Sequence, residues 1–176
     1  MKIFISFLAF FLSLTTVSGQ FFTKKIKGNG TVITSDRSVS NFNKIGIAGS
    51  FEVQLVKGNA GSITLTADEN IVEYISTEIK NGTLKIKPAR GYRLDPSRTI
   101  KIQVGFETVE EIELAGSGTV YSKAALNSYN LNLAIAGSGE INIVADNKLI
   151  ASKIAGSGNI YLQGKTNELT CKIAGS

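Results

Sequence analysis

The phrase Ala115-Gly116-Ser117-Gly118 recurs along the second half of the sequence. It returns as Ala136-Gly137-Ser138-Gly139 and as Ala155-Gly156-Ser157-Gly158, and the sequence ends on Ala174-Gly175-Ser176. The first glycines of these copies are 21, 19 and 19 residues apart, and Ala48-Gly49-Ser50 is an earlier echo. A fixed period of about 20 residues indicates a solenoid, in which each copy forms one structural unit.

The residues around each phrase alternate between apolar and polar types. Two largely apolar columns precede the phrase and two follow it. Their members are Ile112, Leu133, Ser152 and Cys171, then Leu114, Ile135, Ile154 and Ile173, then Val120, Ile141 and Ile160, then Ser122, Ile143 and Leu162. Since side chains alternate between the faces of a strand, the pattern predicts one strand before and one after each phrase, with these columns pointing inwards. Stacking of the copies then buries the columns, because no single copy closes a core.

The glycines and serines of the phrase are predicted to form sharp corners, because glycine adopts backbone conformations closed to other residues. These corner positions are Gly49, Gly116, Ser117, Gly118, Gly137, Ser138, Gly139, Gly156, Ser157, Gly158 and Gly175. Stacked serines would lie about 4.8 Å apart and could form a ladder of hydroxyls. A parallel β-helix is the simplest fold for this pattern. A β-sandwich is the alternative, although its strands would not normally repeat one corner sequence.

The first half, from about Gly30 to Glu107, carries irregular strand patterns. The predicted strands are Val39 to Ile47, Phe51 to Val56, Ser62 to Ala67, Leu84 to Pro88 and Thr99 to Val104. Apolar offsets of three and four within Asp68 to Ile79 predict one short helix with Asp68 as its N-cap. Asn81-Gly82 predicts a tight turn. The unpatterned stretch Arg90 to Arg98 is predicted to be a surface loop.

Residues 1–20 have the pattern of an export signal, with Lys2, an apolar run from Ile3 to Leu14 and the small-residue cleavage site Val17-Ser18-Gly19. A membrane anchor is the alternative, but the run is shorter than the roughly 20 apolar residues that a span needs. We therefore expect export and cleavage, and a mature chain without a transmembrane segment. Residues 21–40 are predicted to be a lead-in segment whose lysines 24, 25 and 27 are a solvated tail, and residues 41–176 one domain.

Two further motifs accompany the repeats. They are Phe42-x-x-Ile45-x-Ile47-x-Gly49-x-Phe51-x-Val53-x-Leu55-x-x-Gly58 and Asn81-Gly82-x-Leu84-x-Ile86. With the repeats they cover Asn41 to Ser176, and their order resembles the putative autotransporter adhesin, head GIN domain, a bacterial family of unknown function common in exported proteins of Bacteroidota. The resemblance implies an all-β, single-stranded right-handed parallel β-helix and, through the family's name, adhesion.

The sequence stops at Ser176, inside a repeat, whereas the earlier copies continue with glycine and another strand. Solenoids normally end in a capping segment with a polar outer face. Here the strand Glu168 to Ile173 would leave an open edge. We therefore expect this sequence to be a C-terminal truncation of a longer natural protein.

The composition argues against an enzyme. The chain has no histidine, the usual general base and the commonest metal ligand. Cys171 is predicted to be a small buried hydrophobe in its inward column rather than a reactive thiol. A solvated surface explains the acidic run of glutamates 107, 110, 111 and 113 better than an acid/base pair does. We expect no catalytic residue, metal or cofactor. Loss of Lys2 lowers the net charge from +5 to +4, and this mild excess indicates no nucleic-acid partner.

The best candidate for binding is an outward column formed by Tyr121, Asn142 and Tyr161, because tyrosine rings are good platforms for sugars or a partner surface. Tyrosine also simply suits exposed strands. The sequence thus predicts a cell-envelope binding or adhesion module for a glycan or protein, in the periplasm or on the outer cell surface. A periplasmic structural or envelope-stress protein and a polysaccharide-acting β-helix enzyme are the alternatives.

Overall fold

The computed structural model describes residues 23–175 of the chain. Within them the protein is all-β, as the composition predicted, and is built around one mixed, mostly parallel sheet. The strands are β1 (Lys24–Lys27), β2 (Val32–Ser38), β3 (Lys44–Ala48), β4 (Glu52–Lys57), β5 (Ser62–Asp68), β6 (Ile75–Lys80), β7 (Thr83–Pro88), β8 (Tyr92–Asp95), β9 (Lys101–Phe106), β10 (Glu111–Gly116), β11 (Thr119–Leu126), β12 (Asn130–Gly137), β13 (Glu140–Gly156) and β14 (Asn159–Ala174). A short helix, α1 (Glu69–Val72), lies between β5 and β6.

Successive copies of the repeated phrase pair with one another in the sheet. β10 pairs with β12, β12 with the second half of β13, and that half with the second half of β14. These pairings are parallel and in register, so that Gly116 lies beside Gly137 and Gly137 beside Gly156. β11 and the first halves of β13 and β14 form a second parallel stack. Each copy therefore contributes one strand segment to each stack, on either side of its corner.

The echo at Ala48-Gly49-Ser50 belongs to the same arrangement. β3 pairs in parallel with β10, which places Ala48 beside Ala115, and β4 pairs with β11. β7 and β9 continue the two stacks beyond β3 and β4. The antiparallel strands β6, β5 and β2 are added outside these. The irregular first half thus extends both stacks of the second half.

The inward columns form the core. Ile112, Leu114, Leu133, Ile135 and Ile141 are buried, and they belong to one hydrophobic cluster that extends into the first half. Residues between them in the strands point the other way, so the strands show an alternating burial pattern. Removal of this apolar surface from water stabilises the fold by about 25 cal/mol per Å².

The helix prediction is confirmed only in part. α1 has four residues, and the next six, Ile75–Lys80, form a strand. Ile71 and Ile75 are both buried. The apolar offsets of three and four therefore arise from one helical turn followed by a strand that enters the core. Asp68 makes no side-chain cap. Its carboxylate accepts hydrogen bonds from Gly30 and Ser97 instead, which ties three segments together.

Two connections were predicted from the same half, one correctly. Asn81 and Gly82 have φ of 52° and 73° and join β6 to β7 as a tight antiparallel hairpin, which confirms the predicted turn. The stretch from Arg90 to Arg98 is not simply a loop, because it contains β8. β8 pairs in parallel with β1. Paired residues of the two strands are 68 positions apart in the sequence, as in Lys24 beside Tyr92.

The lysines near the start therefore do not form a free tail. Lys24, Lys25 and Lys27 belong to β1, and Lys25 forms an ion pair with Asp95 at 2.8 Å. The predicted lead-in segment contains both β1 and β2. The predicted export signal at residues 1–20 lies outside the described residues. Among residues 23–175, none of the helical structure is long and apolar enough to cross a membrane.

The last strand, β14, pairs with β13 alone among the described strands. Its inward column is consequently open, and Ile173 is 69% exposed. The prediction that Cys171 is buried is therefore wrong. The residue lies in the inward column beside Ser152, as the alignment of repeats implied, but its thiol is exposed because none of the other strands among residues 23–175 covers it.

Candidate binding groove

Alanines form an outward column beside the glycine corners. Each precedes a first corner glycine, and they pair in register across five parallel strands: Ala48, Ala115, Ala136, Ala155 and Ala174. The residue before each alanine points into the core, so the alanine methyl groups point outwards. With neighbouring strands about 4.8 Å apart, the column is about 19 Å long.

This alanine column is the floor of a groove of about 720 Å³. The next outward row contributes Gly46 and Ala134, which add almost no bulk above the backbone. Ligand-binding pockets of proteins typically have volumes of about 300–1,000 Å³ and mostly apolar linings. The groove therefore has the size and surface of a site for an extended apolar group.

Charged side chains border the groove at both ends. At the β7 end, Lys85 and Lys87 lie beside the floor, and Lys87 forms an ion pair with Glu78 at 2.7 Å. The hydrogen bond from Lys87, together with its charge, lowers the pKa of the Glu78 carboxyl. Glu113 lies midway along the same border. The β7 end thus carries positive charge that a carboxylate partly neutralises.

The opposite end is different. Lys153 and Lys172 lie side by side on β13 and β14, in register, and both are exposed. Neither forms an ion pair with another group in the part of the chain that the structure describes. Two like charges on adjacent strands destabilise a sheet when no counter-charge is present. This end of the groove therefore presents an uncompensated pair of cations.

The predicted binding column of Tyr121, Asn142 and Tyr161 lies on the other stack of strands, away from the groove. The register brings the three residues side by side. Tyr161 is 51% exposed, whereas Tyr121 is half-buried and its hydroxyl donates to the Glu52 carboxylate at 3.4 Å. Burial, followed by the charge of Glu52, raises the pKa of the Tyr121 phenol. Of the two rings, Tyr161 offers the freer face.

The two glycines of each corner are needed for different reasons. The first has positive φ, 116° at Gly116 and 128° at Gly137. The second glycine lies too close to the neighbouring corner to carry a side chain: a Cβ on Gly139 would lie 2.8 Å from the carbonyl oxygen of Gly118. Between them, the backbone N–H of Ser138 donates to the Gly116 carbonyl at 3.0 Å. Backbone hydrogen bonds thus join the corners, and no bond between corner serine hydroxyls is found among the described residues.

The chain matches a known family over most of its length. Residues 41–176 match the family described as Putative auto-transporter adhesin, head GIN domain. The chain belongs to this family. No curated protein sequence matches it.

Solved structures share the fold of this head GIN domain chain. A protein from Parabacteroides distasonis, described as a putative lipid binding protein, is 26% identical over 87% of this chain and 74% of its own, with a TM-score of 0.73. A putative adhesin from Parabacteroides merdae is 18% identical over 88% and 82%, with a TM-score of 0.63. Another putative adhesin from Parabacteroides distasonis is 18% identical over 86% and 82%, with a TM-score of 0.59.

The acidic run of this head GIN domain chain is tied into surface contacts. Glu111 forms an ion pair with Lys44 at 3.0 Å, and Glu110 accepts a hydrogen bond from Asn43 at 2.8 Å. Within residues 23–175, no three acidic or thiol side chains gather in a way that would hold a metal ion. Glu110 and Glu111 therefore contribute to surface contacts with Asn43 and Lys44.

The groove of this head GIN domain chain was not predicted from the sequence, although its signal was present. The alanine of each repeated phrase alternates with an inward residue such as Leu114 or Ile135, so it had to point outwards. Unlike a polar or aromatic column, a column of methyl groups has no distinctive side-chain chemistry. Five small residues in register on an exposed face leave little side-chain bulk above the backbone of the strands.

Proposed function

We propose that this protein is an exported, non-catalytic binding module of the cell envelope, and that the alanine-floored groove binds lipid-like, amphipathic molecules. The observation that carries this proposal is an exposed apolar groove of about 720 Å³ with charged borders. Soluble proteins rarely leave a contiguous apolar surface without a partner. The relative from Parabacteroides distasonis that is described as a putative lipid binding protein supports the same ligand class.

We further infer that the two stacks belong to a single-stranded, right-handed β-solenoid. The repeats pair in parallel at offsets of 19 to 21 residues, and each contributes one strand segment to each stack. Crossover connections between parallel strands are right-handed in about 98% of cases. This winding supports function because it gives the groove a straight, repeated floor.

The experiment is a titration with N-phenyl-1-naphthylamine, an uncharged apolar fluorophore whose emission rises in apolar sites. Ala136→Glu places a carboxylate on the groove floor and should abolish most of the binding. Asn142→Glu adds the same charge to the exposed face of the other stack in the same repeat, and should bind like the wild type. Equal binding by the two variants, or none by the wild type, would refute the groove as the site.

A second candidate is glycan or protein adhesion through the tyrosine column. Its support is the in-register placement of Tyr121, Asn142 and Tyr161, with one ring largely exposed. Tyr161→Ala should weaken retention of the protein on immobilised envelope polysaccharide, whereas Ala136→Glu should not. Unchanged retention of Tyr161→Ala would remove this candidate.

Export and final location are tested together by protease treatment of intact cells, with a periplasmic protein as the control. Digestion without lysis would place the module on the outer surface. Protection until lysis would place it in the periplasm and count against adhesion. Detection in the cytoplasmic fraction alone would overturn the proposal of export.

A further inference from the structure

We propose that the groove selects amphiphiles with an anionic head group, and that Lys153 and Lys172 bind this group while the apolar chain lies along the alanine column. This inference rests on the proposed function and deepens it. It assigns a specificity-determining pair of residues and an orientation to the ligand.

Two like charges lie together at the β14 end of the groove. Lys153 and Lys172 occupy adjacent positions on parallel strands, about 4.8 Å apart at the backbone. Elsewhere on this face, Lys87 lies 2.7 Å from Glu78 and Lys44 lies 3.0 Å from Glu111. Lys85 forms no ion pair among the described residues, but it lies beside Glu78 in register. An anion bound between the unpaired ammonium groups removes their repulsion and forms charge-assisted hydrogen bonds with both.

The remaining charges set the orientation. At the β7 end, Glu78 lies beside Lys85 in register and is bonded to Lys87, so an incoming anion meets a carboxylate there. Glu113 borders the middle of the groove, two strands from Lys153, and repels an anion placed at the centre. The only end of the described groove with cations and no adjacent carboxylate is that of Lys153 and Lys172.

The floor then accommodates the tail. From Ala174 the alanine column continues through Ala155, Ala136 and Ala115 to Ala48, with no charged residue in this row. Its length of about 19 Å suits one extended long alkyl chain. The head group's shared chemistry is a single anionic oxygen group, supplied by either a fatty-acid carboxylate or a lipid phosphate.

The test uses four ligands with the same chain: hexadecanoate, hexadecyl phosphate, hexadecanol and hexadecyltrimethylammonium. Each ligand is titrated, at concentrations below micelle formation, into the protein with N-phenyl-1-naphthylamine bound, and displacement of the fluorophore is measured. At least one anion should compete about tenfold more tightly than the alcohol, and the cation should be the weakest. The ranking of the carboxylate against the phosphate distinguishes the two sources of the head group.

The double variant Lys153→Gln/Lys172→Gln should bind the uncharged fluorophore normally and should lose the preference for anions. The matched control is Lys101→Gln/Lys123→Gln, which removes the same charge from exposed lysines on the other stack. Loss of preference in both double variants would attribute it to net charge and overturn the assignment.

The outcomes separate this inference from the proposed function. If the alcohol or the cation competes as well as both anions, the inference is wrong, while fluorophore binding that depends on Ala136 still supports the groove. If the Lys153→Gln/Lys172→Gln variant keeps the anion preference of the wild type, the head group lies elsewhere and the inference is again wrong. If the wild type does not bind the fluorophore, both proposals fail.

Discussion

Gly137 lies so close to Gly116 on the neighbouring strand that a Cβ atom on Gly137 would be 2.5 Å from the Gly116 carbonyl oxygen. Gly137 also has a φ of 128°, which residues with a Cβ rarely adopt. The variant Gly137→Ala therefore suffers backbone strain and a steric clash with its neighbour. We expect it to lose roughly 3 kcal/mol of unfolding free energy, measured by urea denaturation.

Gly91→Ala is the matched control for strain alone. Gly91 has a φ of 84°, but a Cβ there would meet nothing within 4 Å. We expect this variant to lose only about 1 kcal/mol. Equal losses for the two variants would show that the close stacking of the corners contributes nothing to stability.

The second prediction tests which residues face the core in the second stack. Ile141 is buried, and its neighbour Asn142 is exposed. Ile141→Ala leaves a cavity in the apolar column and should cost roughly 2–5 kcal/mol in unfolding free energy. Asn142→Ala should change it by less than about 0.5 kcal/mol. Comparable denaturation midpoints for the two variants would contradict the assignment of faces.

Much of the second half could be predicted from the sequence, because its structure follows from a local pattern repeated in register. Positive φ at Gly116 and burial of Ile112 and Leu133 both follow from one repeat and the rule of alternation. Even the exposed Cys171 was placed in the correct column. Its exposure was missed because column membership says nothing about whether another strand covers the column.

The rest depends on contacts that no local pattern encodes. β1 and β8 pair across 68 residues, as in the pair Lys25 and Arg93, and each strand has only four residues. The buried role of Asp68 also depends on distant partners, Gly30 and Ser97. The alanine-floored groove was not predicted for a different reason, since a row of alanines has no chemical signature until the register places the methyl groups together.

The third prediction concerns the thiol of Cys171. It is exposed in the open last strand, where the Ser152 hydroxyl lies 3.1 Å from its sulfur. We expect it to react with Ellman's reagent in the native protein as fast as in urea to within about tenfold, since no opening of the fold is needed. The control is Leu133→Cys in a Cys171→Ser background, because Leu133 lies in the same inward column and is buried. That thiol should react at least about a hundredfold more slowly in the native state; similar rates would contradict the exposure of the last strand.

The fourth prediction concerns Asp68, a residue that is only 1% exposed. Burial raises the pKa of this carboxyl, but hydrogen bonds from Ser97 and from the Gly30 N–H outweigh it, so the pKa lies below its usual value. The carboxylate therefore stabilises the fold above the unfolded-state pKa of about 4, and this contribution is lost as the pH falls through the lower folded-state pKa.

Asp68→Asn should lose roughly 2 kcal/mol of unfolding free energy at pH 7, because an amide group then faces backbone donors. The difference in unfolding free energy between Asp68→Asn and the wild type should narrow towards pH 3. The control is Asp36→Asn, at an exposed carboxylate that accepts a hydrogen bond from Thr64, and its unfolding free energy should stay close to that of the wild type at both pH values. A gap for Asp68→Asn that is constant with pH would mean that the ionised form is not what the surrounding donors stabilise.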